Sequence, residues 1–256
     1  MNHLSSKPST TPAAVDTQSR TGLSRRVLFS ALALLAAGAA WKAAPSLAAE
    51  SAVVIPPPAS DLAPAASSAA TETAVLAGGC FWGVQGVYQH VKGVSGAVSG
   101  YAGGDAKSAR YEAVGSGSTG HAEAVRITFD PRQISYGRIL QIYFSVAHNP
   151  TELNRQGPDT GTQYRSTIFA QSPEQARVAK DYIDQLNKAK VFKAPIVTTI
   201  ETQKPFFAAE GYHQDYLTRN PNDPYIAFND IPKLDNLKKV FPGMYRAAPA
   251  LVGNGA

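Results

Sequence analysis

Cysteine is the scarcest residue in this 256-residue chain, occurring once, as Cys80. A lone thiol cannot close an intrachain disulfide, so no cystine framework supports the fold; Cys80 is inert and buried, paired with another chain, or reactive. Long apolar runs are missing too. The stretch from Val27 to Trp41 is about 15 residues, short of the roughly 20 that a helix needs to span a bilayer. The five histidines are scattered, and His213-x-Asp215 with one cysteine elsewhere is no ligand set, so no metal is read from the sequence. Excess charge is also absent once its location is considered. The formal net charge is +5, yet residues 1–48 hold Lys7, Arg20, Arg25, Arg26 and Lys42 against Asp16, which leaves 19 basic and 18 acidic residues of the chain's 24 and 19. The near-neutral remainder lacks the basic excess of a nucleic-acid binder.

What is present begins with a leader. Arg25-Arg26 in "LSRRVLFS", the apolar run and the small residues of "PSLAAE" read as a twin-arginine-like export signal cleaved near Ala48. The mature protein is therefore expected in the periplasm or otherwise outside the cytoplasm, meeting a membrane only through the signal before cleavage. Residues 49–72 are rich in Ala, Pro and Ser without periodicity and read as a disordered linker. Residues 73–246 are long enough for one domain with a real core, expected to be monomeric, and 247–256 read as a flexible tail.

Within the domain, "TAVLAGG" is an apolar strand ending in glycines, and Val84, Val87, Tyr88 and Val91 then recur at helical spacing. Cys80 thus falls at a strand-to-helix turn. "SGAVSGYAGG" reads as a second strand, and "HAEAVRITFDP" alternates from Glu123 to Phe129 before Pro131 stops it. A helix with Ser135 as cap puts Ile139, Leu140, Tyr143, Phe144 and Ala147 on one face. "YRSTIFA" is a strand, a long helix opens at Ser172-Pro173, and "PIVTTIE" is a strand. "PFFAAEGYHQDYLTRN" reads as helix, and a short helical piece follows around "LDNLKKVF". Strands and helices intermix without strict βαβ alternation, which predicts an α+β fold, a two-layer mixed β-sheet with packed helices.

The chemistry gathers around the thiol. The first turn of a helix offers free N–H groups and a positive dipole end, both of which favour a thiolate, so Cys80 is expected to be acidified. Gly78, Gly79 and Gly83 leave room for a close approach, and Phe81 and Trp82 bring apolar surface beside the sulfur. Glu123 shares a strand face with Val125, Ile127 and Phe129, so burial should raise its pKa and let it act as a general acid. Two polar loops supply further candidates, Tyr111, Glu112 and His121 in one, Asp159, Gln163, Tyr164 and Arg165 in the other.

"GGCFWG", "GYAGG", "GHAEAV", "HNPT" and "GTQYRS", in this order, resemble the peptide methionine sulfoxide reductases of the A type, and the resemblance covers essentially all of Thr73 to Phe241. It implies ferredoxin-like connections and a nucleophile at the turn after the first strand. Carried over position by position, it implies Cys80 as catalytic cysteine, Glu123 as acid, Tyr111 and Tyr164 as sulfoxide-binding tyrosines and Asp159 as supporting carboxylate. Phe81 and Trp82 fall on the methyl-group pocket, and the S epimer of methionine sulfoxide, in oxidised proteins or free, is the implied substrate. Many relatives carry further cysteines that resolve the sulfenic acid; this chain has Gly115 at one such position and none in its tail. No bound cofactor is implied, and regeneration must use an external thiol, such as a thioredoxin-like protein or a small thiol.

Other readings of the same residues are a cysteine hydrolase or acyl transferase using His121 or His213 as base, a peroxide-reducing thiol enzyme, and a non-catalytic module binding methionine or its sulfoxide. The leader yields the first prediction. Replacing Arg25 and Arg26 by lysine should trap the precursor inside a bacterial host, whereas the parent is recovered outside the cytoplasm beginning near Ala49. Export of the doubly substituted precursor at the parental rate would exclude the twin-arginine route, and a membrane-bound protein retaining residues 1–48 would make the leader an anchor.

Overall fold

The structure, a computed structural model, describes residues 50–62 and 71–253, and the leader with its paired arginines lies outside the described residues. Strand β1 (Glu72–Ala77) passes through Gly78-Gly79 into helix α1 (Phe81–Gln89), which returns to β2 (Val94–Ala102). A short helix α2 (Tyr111–Val114) precedes β3 (Ala122–Phe129). Both β1 and β2 run antiparallel to β3, which lies between them. They are therefore parallel to each other, joined by a helix with a third strand inserted, a split βαβ unit. Helix α3 (Tyr136–Ile142), the two-residue strands β4 (Arg155–Gln156) and β5 (Asp159–Thr160), and β6 (Thr167–Ala170) follow, and β1 separates β3 from β6 in the same manner. The resulting order β6-β1-β3-β2 is the ferredoxin-like arrangement of an α+β fold. Helix α4 (Pro173–Lys188) crosses to β7 (Thr199–Thr202), parallel to β6, and β8 (Phe206–Ala208) extends the opposite edge on β2. The short α5 (Tyr216–Arg219) and α6 (Ile231–Val240) complete the described elements.

One face of the sheet carries the main core. Leu76, Val125, Ile127 and Phe129 cluster there with Val84, Val87 and Tyr88 of α1, Ile139 and Leu140 of α3, and Val178 and Tyr182 of α4. The reverse face is small-residue territory, with Ala77, Ala102, Ala122 and Ala124 around Val75 and Phe169 and under Phe206. Capping follows the sequence: the Ser135 and Ser172 hydroxyls each accept the N–H of the third residue on, Arg138 and Gln175, both at 3.2 Å. Past Ile142 the α3 chain widens into a π turn over Tyr143–Ala147, and the Tyr143 hydroxyl donates to the Ala77 carbonyl at 2.6 Å.

Three expectations are corrected. Residues 205–220 are not one helix: Phe206–Ala208 pairs with Gly100–Ala102 as an edge strand, and Asp215, at φ 58°, breaks the chain before α5. The edge of β2 offered unpaired backbone groups and a glycine, Gly100, against which Phe206 packs, and this outweighed local helix preference. The described part of 49–72 is an ordered strap. Ile55 is buried in the core, and Pro56 and Pro57, whose extended conformation leaves carbonyls unpaired, present them to the Tyr182 hydroxyl (2.6 Å) and Gln185 Nε2 (2.9 Å). Gln141 Nε2 takes the Ile55 carbonyl at 2.8 Å, and Asp61 accepts the Gly137 N–H at 2.8 Å. Residues 63–70 lie outside the described residues. The tail is anchored as far as Val252, with Ala250 N–H donating to the Gln89 carbonyl (2.9 Å) and Val252 N–H to Asp215 Oδ1 (3.0 Å).

The strap should contribute measurably to stability. Ile55→Ala is expected to lower the free energy of unfolding by about 2–3 kcal/mol, the lower range for emptying a buried isoleucine site. A loss below about 0.5 kcal/mol in denaturant titration would mean that the strap is not part of the cooperative unit.

Candidate functional site

Cys80 occupies the cap position before α1, at φ −54° and ψ 125°. It is carried there by Gly79, whose φ of +87° suits glycine, and a Cβ at that residue would stand 2.6 Å from the Gln156 side chain. The thiol is 8 % exposed. The next residue, Phe81, donates its N–H to Glu123 Oε2 at 3.0 Å, which fastens the helix start to the middle strand. Burial pushes Glu123 up to about 8; the Phe81 hydrogen bond opposes the rise, and the nearby Asp159 and Asp230 add to it. Glu123 therefore keeps its proton at neutral pH.

The expected acidification of Cys80 is not found. Burial drives the thiol well above its ordinary value, the charges of Glu123, Asp230 and Asp159 push the same way, and the Trp82 N–H opposes them without prevailing. The helix end does act on the sulfur, but removal from water is the larger effect.

The remaining predicted residues converge on this pair. Asp159 sits in the β4–β5 hairpin opposite Gln156, and its carboxylate accepts the Tyr225 hydroxyl. Burial raises it, while Tyr225 and Lys233 pull it back. Tyr164 closes a 3-10 turn over Thr162–Tyr164, and Tyr111 opens α2 with its N–H on Glu210 Oε1 at 3.0 Å. Burial first, then the carboxylates and the thiol, raises both phenols. Each remains an O–H donor facing the same charges. Phe81 is buried, its ring 5.9 Å from Tyr101 and 5.1 Å from His213. Trp82 is half-buried, stacks on Tyr216 at 3.9 Å, and meets Tyr225 edge-on at 6.0 Å.

Several neighbours escaped sequence reasoning. Tyr216, Tyr225, Asp230 and Lys233 come from the chain beyond β8, while His213, weighed in the sequence as a base, accepts the Trp82 indole N–H at 3.3 Å. For Tyr216 the signal was the aromatic and polar density of "AEGYHQDYL", which helical spacing concealed; Tyr225, Asp230 and Lys233 lie beyond that stretch. The loop candidates Glu112, Gln163 and Arg165 take other places: Glu112 is exposed, Arg165 pairs with Glu201 at 3.1 Å, and Gln163 Nε2 donates to the Gly115 carbonyl at 3.4 Å.

A hydrolase would need a base for the thiol. His121 spends both ring nitrogens on backbone, Nδ1 accepting the Gly104 N–H at 3.2 Å and Nε2 within 3.0 Å of the Asp105 carbonyl, while His213 Nδ1 is engaged by Trp82. A buried thiol beside a carboxyl that holds its proton suits instead a reductase that must protonate an oxygen as it departs. Residues 72–243 match the sequence profile of the family described as peptide methionine sulfoxide reductase, and the chain belongs to that family. It is 66% identical over 182 residues to peptide methionine sulfoxide reductase MsrA 2 of Mesorhizobium japonicum, covering 71% of this chain and 93% of that protein. A similarly named protein of Synechocystis sp. is 47% identical over 195 residues, 76% of this chain and 91% of its own. Among solved structures, Mxr1 of Saccharomyces cerevisiae in reduced form superposes with a TM-score of 0.54 at 34% identity, covering 61% of this chain and 90% of that one. Methionine sulfoxide reductase A of Corynebacterium diphtheriae does so at 0.52 and 30%, covering 69% and 88%.

The Glu123 carboxyl leaves a thermodynamic signature. Its proton affinity is raised from 4.5 unfolded to about 8 folded, so the native state binds the extra proton between these values and stability must fall as pH rises across that window. Glu123→Gln removes this contribution: the difference in unfolding free energy between variant and parent should grow in the variant's favour from about 4.5 to about 8 and be flat above it. A pH-independent difference would show that Glu123 titrates normally.

Proposed function

We propose that the protein reduces methionine S-sulfoxide, in oxidised proteins or free, through nucleophilic attack by Cys80, with Glu123 as the acid and Tyr111 and Tyr164 as donors to the sulfoxide oxygen. The single observation carrying this reading is the buried Cys80–Phe81–Glu123 junction, which sets a thiol beside a protonated carboxyl. The Cys80 sulfur supplies an electron pair to the sulfoxide sulfur, forming a sulfur–sulfur bond while the oxygen is protonated; the hydroxyl then passes to the Cys80 sulfur as the substrate sulfur–oxygen bond and the transient sulfur–sulfur bond break, the latter's electron pair leaving with the methionine sulfur. The oxygen ends on Cys80 as a sulfenic acid, so the substrate sulfur is reduced by two electrons and Cys80 oxidised by two. The proton given by Glu123 is made good by the one the thiol gives up, and none is consumed overall. Because burial holds the thiol protonated at rest, its deprotonation and the protonation of the oxygen are coupled steps. Asp159 holds Tyr225 against the edge of Trp82 and orients this wall of the pocket. Trp82, backed by Phe81, receives the S-methyl group, a contact worth roughly 0.3–1.5 kcal/mol.

The chain contains no second cysteine, so the sulfenic acid is reduced from outside by two thiol equivalents, giving their disulfide and water. A thioredoxin-like protein or a small thiol supplies them. The leader supports action outside the cytoplasm, as a monomer that repairs exported proteins.

Single-turnover methionine formation tests the assignment. Cys80→Ser should abolish it, with a trappable sulfenic acid appearing in the parent alone. Glu123→Gln should slow it by roughly 10²–10⁴-fold and lose the decline that the parent shows as pH rises through about 8. Parental rate and profile in Glu123→Gln would assign the proton to Tyr111, Tyr164 or water.

A further inference from the structure

The site has a buried charged floor that the chemistry above does not use. Asp230 is 0 % exposed at the end of the π turn Ile226–Asp230, and neither of its carboxyl oxygens accepts a well-formed hydrogen bond. Its charge partner is Lys233, in the first turn of α6, with Nζ 3.3 Å from Oδ1 and also buried. Both press on the first turn of α1. A Cβ at Gly83, three residues after Cys80, would stand 2.1 Å from Asp230 Oδ1 and 3.0 Å from Lys233 Nζ. The glycine therefore admits the ion pair to the helix turn that carries the nucleophile.

The ordered strap brings a third member. Both Glu50 carboxyl oxygens are sealed from solvent without a hydrogen bond of good geometry, and the Glu50 carbonyl accepts Asn236 Nδ2 of α6 at 3.1 Å. Glu50 is raised by burial, and the Lys233 charge opposes that rise, while Glu152 adds to it and the backbone amides of Gly157 and Asn149 lean against it. Burial alone would strip the Lys233 ammonium of its proton, but the charges of Asp230, Glu50 and Cys80 outweigh it and raise its proton affinity. Lys233 also acts on Asp159 and on the buried, neutral His148.

Desolvating an ion pair costs several kcal/mol per ion, and an apolar pair of similar volume would serve the fold as well or better. The acidic groups facing Cys80 are Glu123 from β3, protonated at neutral pH, Asp159 from β5 and Asp230 from the π turn, with the neutral phenols of Tyr111, Tyr164 and Tyr225 around them. An attacking sulfur that turns anionic among these carboxyls needs a cation in the same dry space.

We propose that Lys233 is a positioning residue for the reaction: it is the buried cation that offsets the negative charge Cys80 acquires in attack, with Asp230 and Glu50 holding its ammonium against the first turn of α1. The proposal rests on Cys80 as the nucleophile. Its test is the pH dependence of Cys80 alkylation by iodoacetamide in the purified protein, followed beside single-turnover methionine formation. Lys233→Met should move the alkylation midpoint up by about one pH unit or more and slow turnover at neutral pH about tenfold, while Lys233→Arg stays close to the parent. Asp230→Asn, which removes an anion of the same shape, should move the midpoint the opposite way. Lys233→Gln takes its place if Lys233→Met does not fold, with the same upward shift expected. Midpoints unchanged in the folded variants, with only the melting temperature lowered, would overturn the proposal and leave the pair structural. If alkylated parent still forms methionine, the nucleophile assignment is what fails, whichever way the midpoints move.

Discussion

The hydrogen bond from the Phe81 N–H to Glu123 is the contact on which the site depends. The first N–H groups of a helix have no intrahelical acceptor, and this one lies under a buried roof where water cannot serve. A carboxyl from the middle strand takes it, and because the carboxyl is protonated at neutral pH the arrangement avoids burying a bare anion. One oxygen holds the helix in place, and the acid proton stays available. The same contact holds Glu123 close to Cys80, one residue earlier.

The ferredoxin-like topology brings these two groups together from 43 positions apart in sequence. The end of β1 and the beginning of β3, the two central strands, lie at the same end of the sheet because neighbouring strands run antiparallel, so the β1–α1 turn and Glu123 face each other. Loops and turns deliver the rest: the β4–β5 hairpin brings Asp159, the turn after it Tyr164, and the segment after β8 the rings that flank Trp82. The sheet carries Glu123, and turns carry the other residues gathered around Cys80.

Burial decides the electrostatics throughout. It keeps Glu123 and the tyrosines protonated, which suits donation, and it also keeps Cys80 a thiol, which does not suit attack. In the proposed mechanism the conflict is resolved by making proton loss from sulfur and proton gain by the departing oxygen parts of one event. The buried Lys233–Asp230 pair belongs to the same electrostatic problem, since any charge that moves in this dry space is felt by all its neighbours.

Much of this was legible beforehand. Alternation from Glu123 to Phe129 set the strand and its buried face, and Ser135 and Ser172 marked the helix starts that their hydroxyls cap. The "GGCFWG" and "GHAEAV" motifs placed Cys80 at a strand-to-helix turn and Glu123 on a buried strand face, because a turn glycine and a period of two are local facts that any tertiary setting must respect. Residues 205–220 and the proline-rich strap could not be read in that way. An edge strand forms only where a neighbour offers its free backbone, and a polyproline segment orders only where tyrosine and glutamine side chains meet its carbonyls. The direction of the Cys80 shift was likewise undecided in the chain, because helix position is written in sequence and desolvation is not. The sequence by itself determined which residues could do the chemistry; the tertiary structure alone decided which of their charges the interior would allow, because that depends on how completely water is excluded from around them.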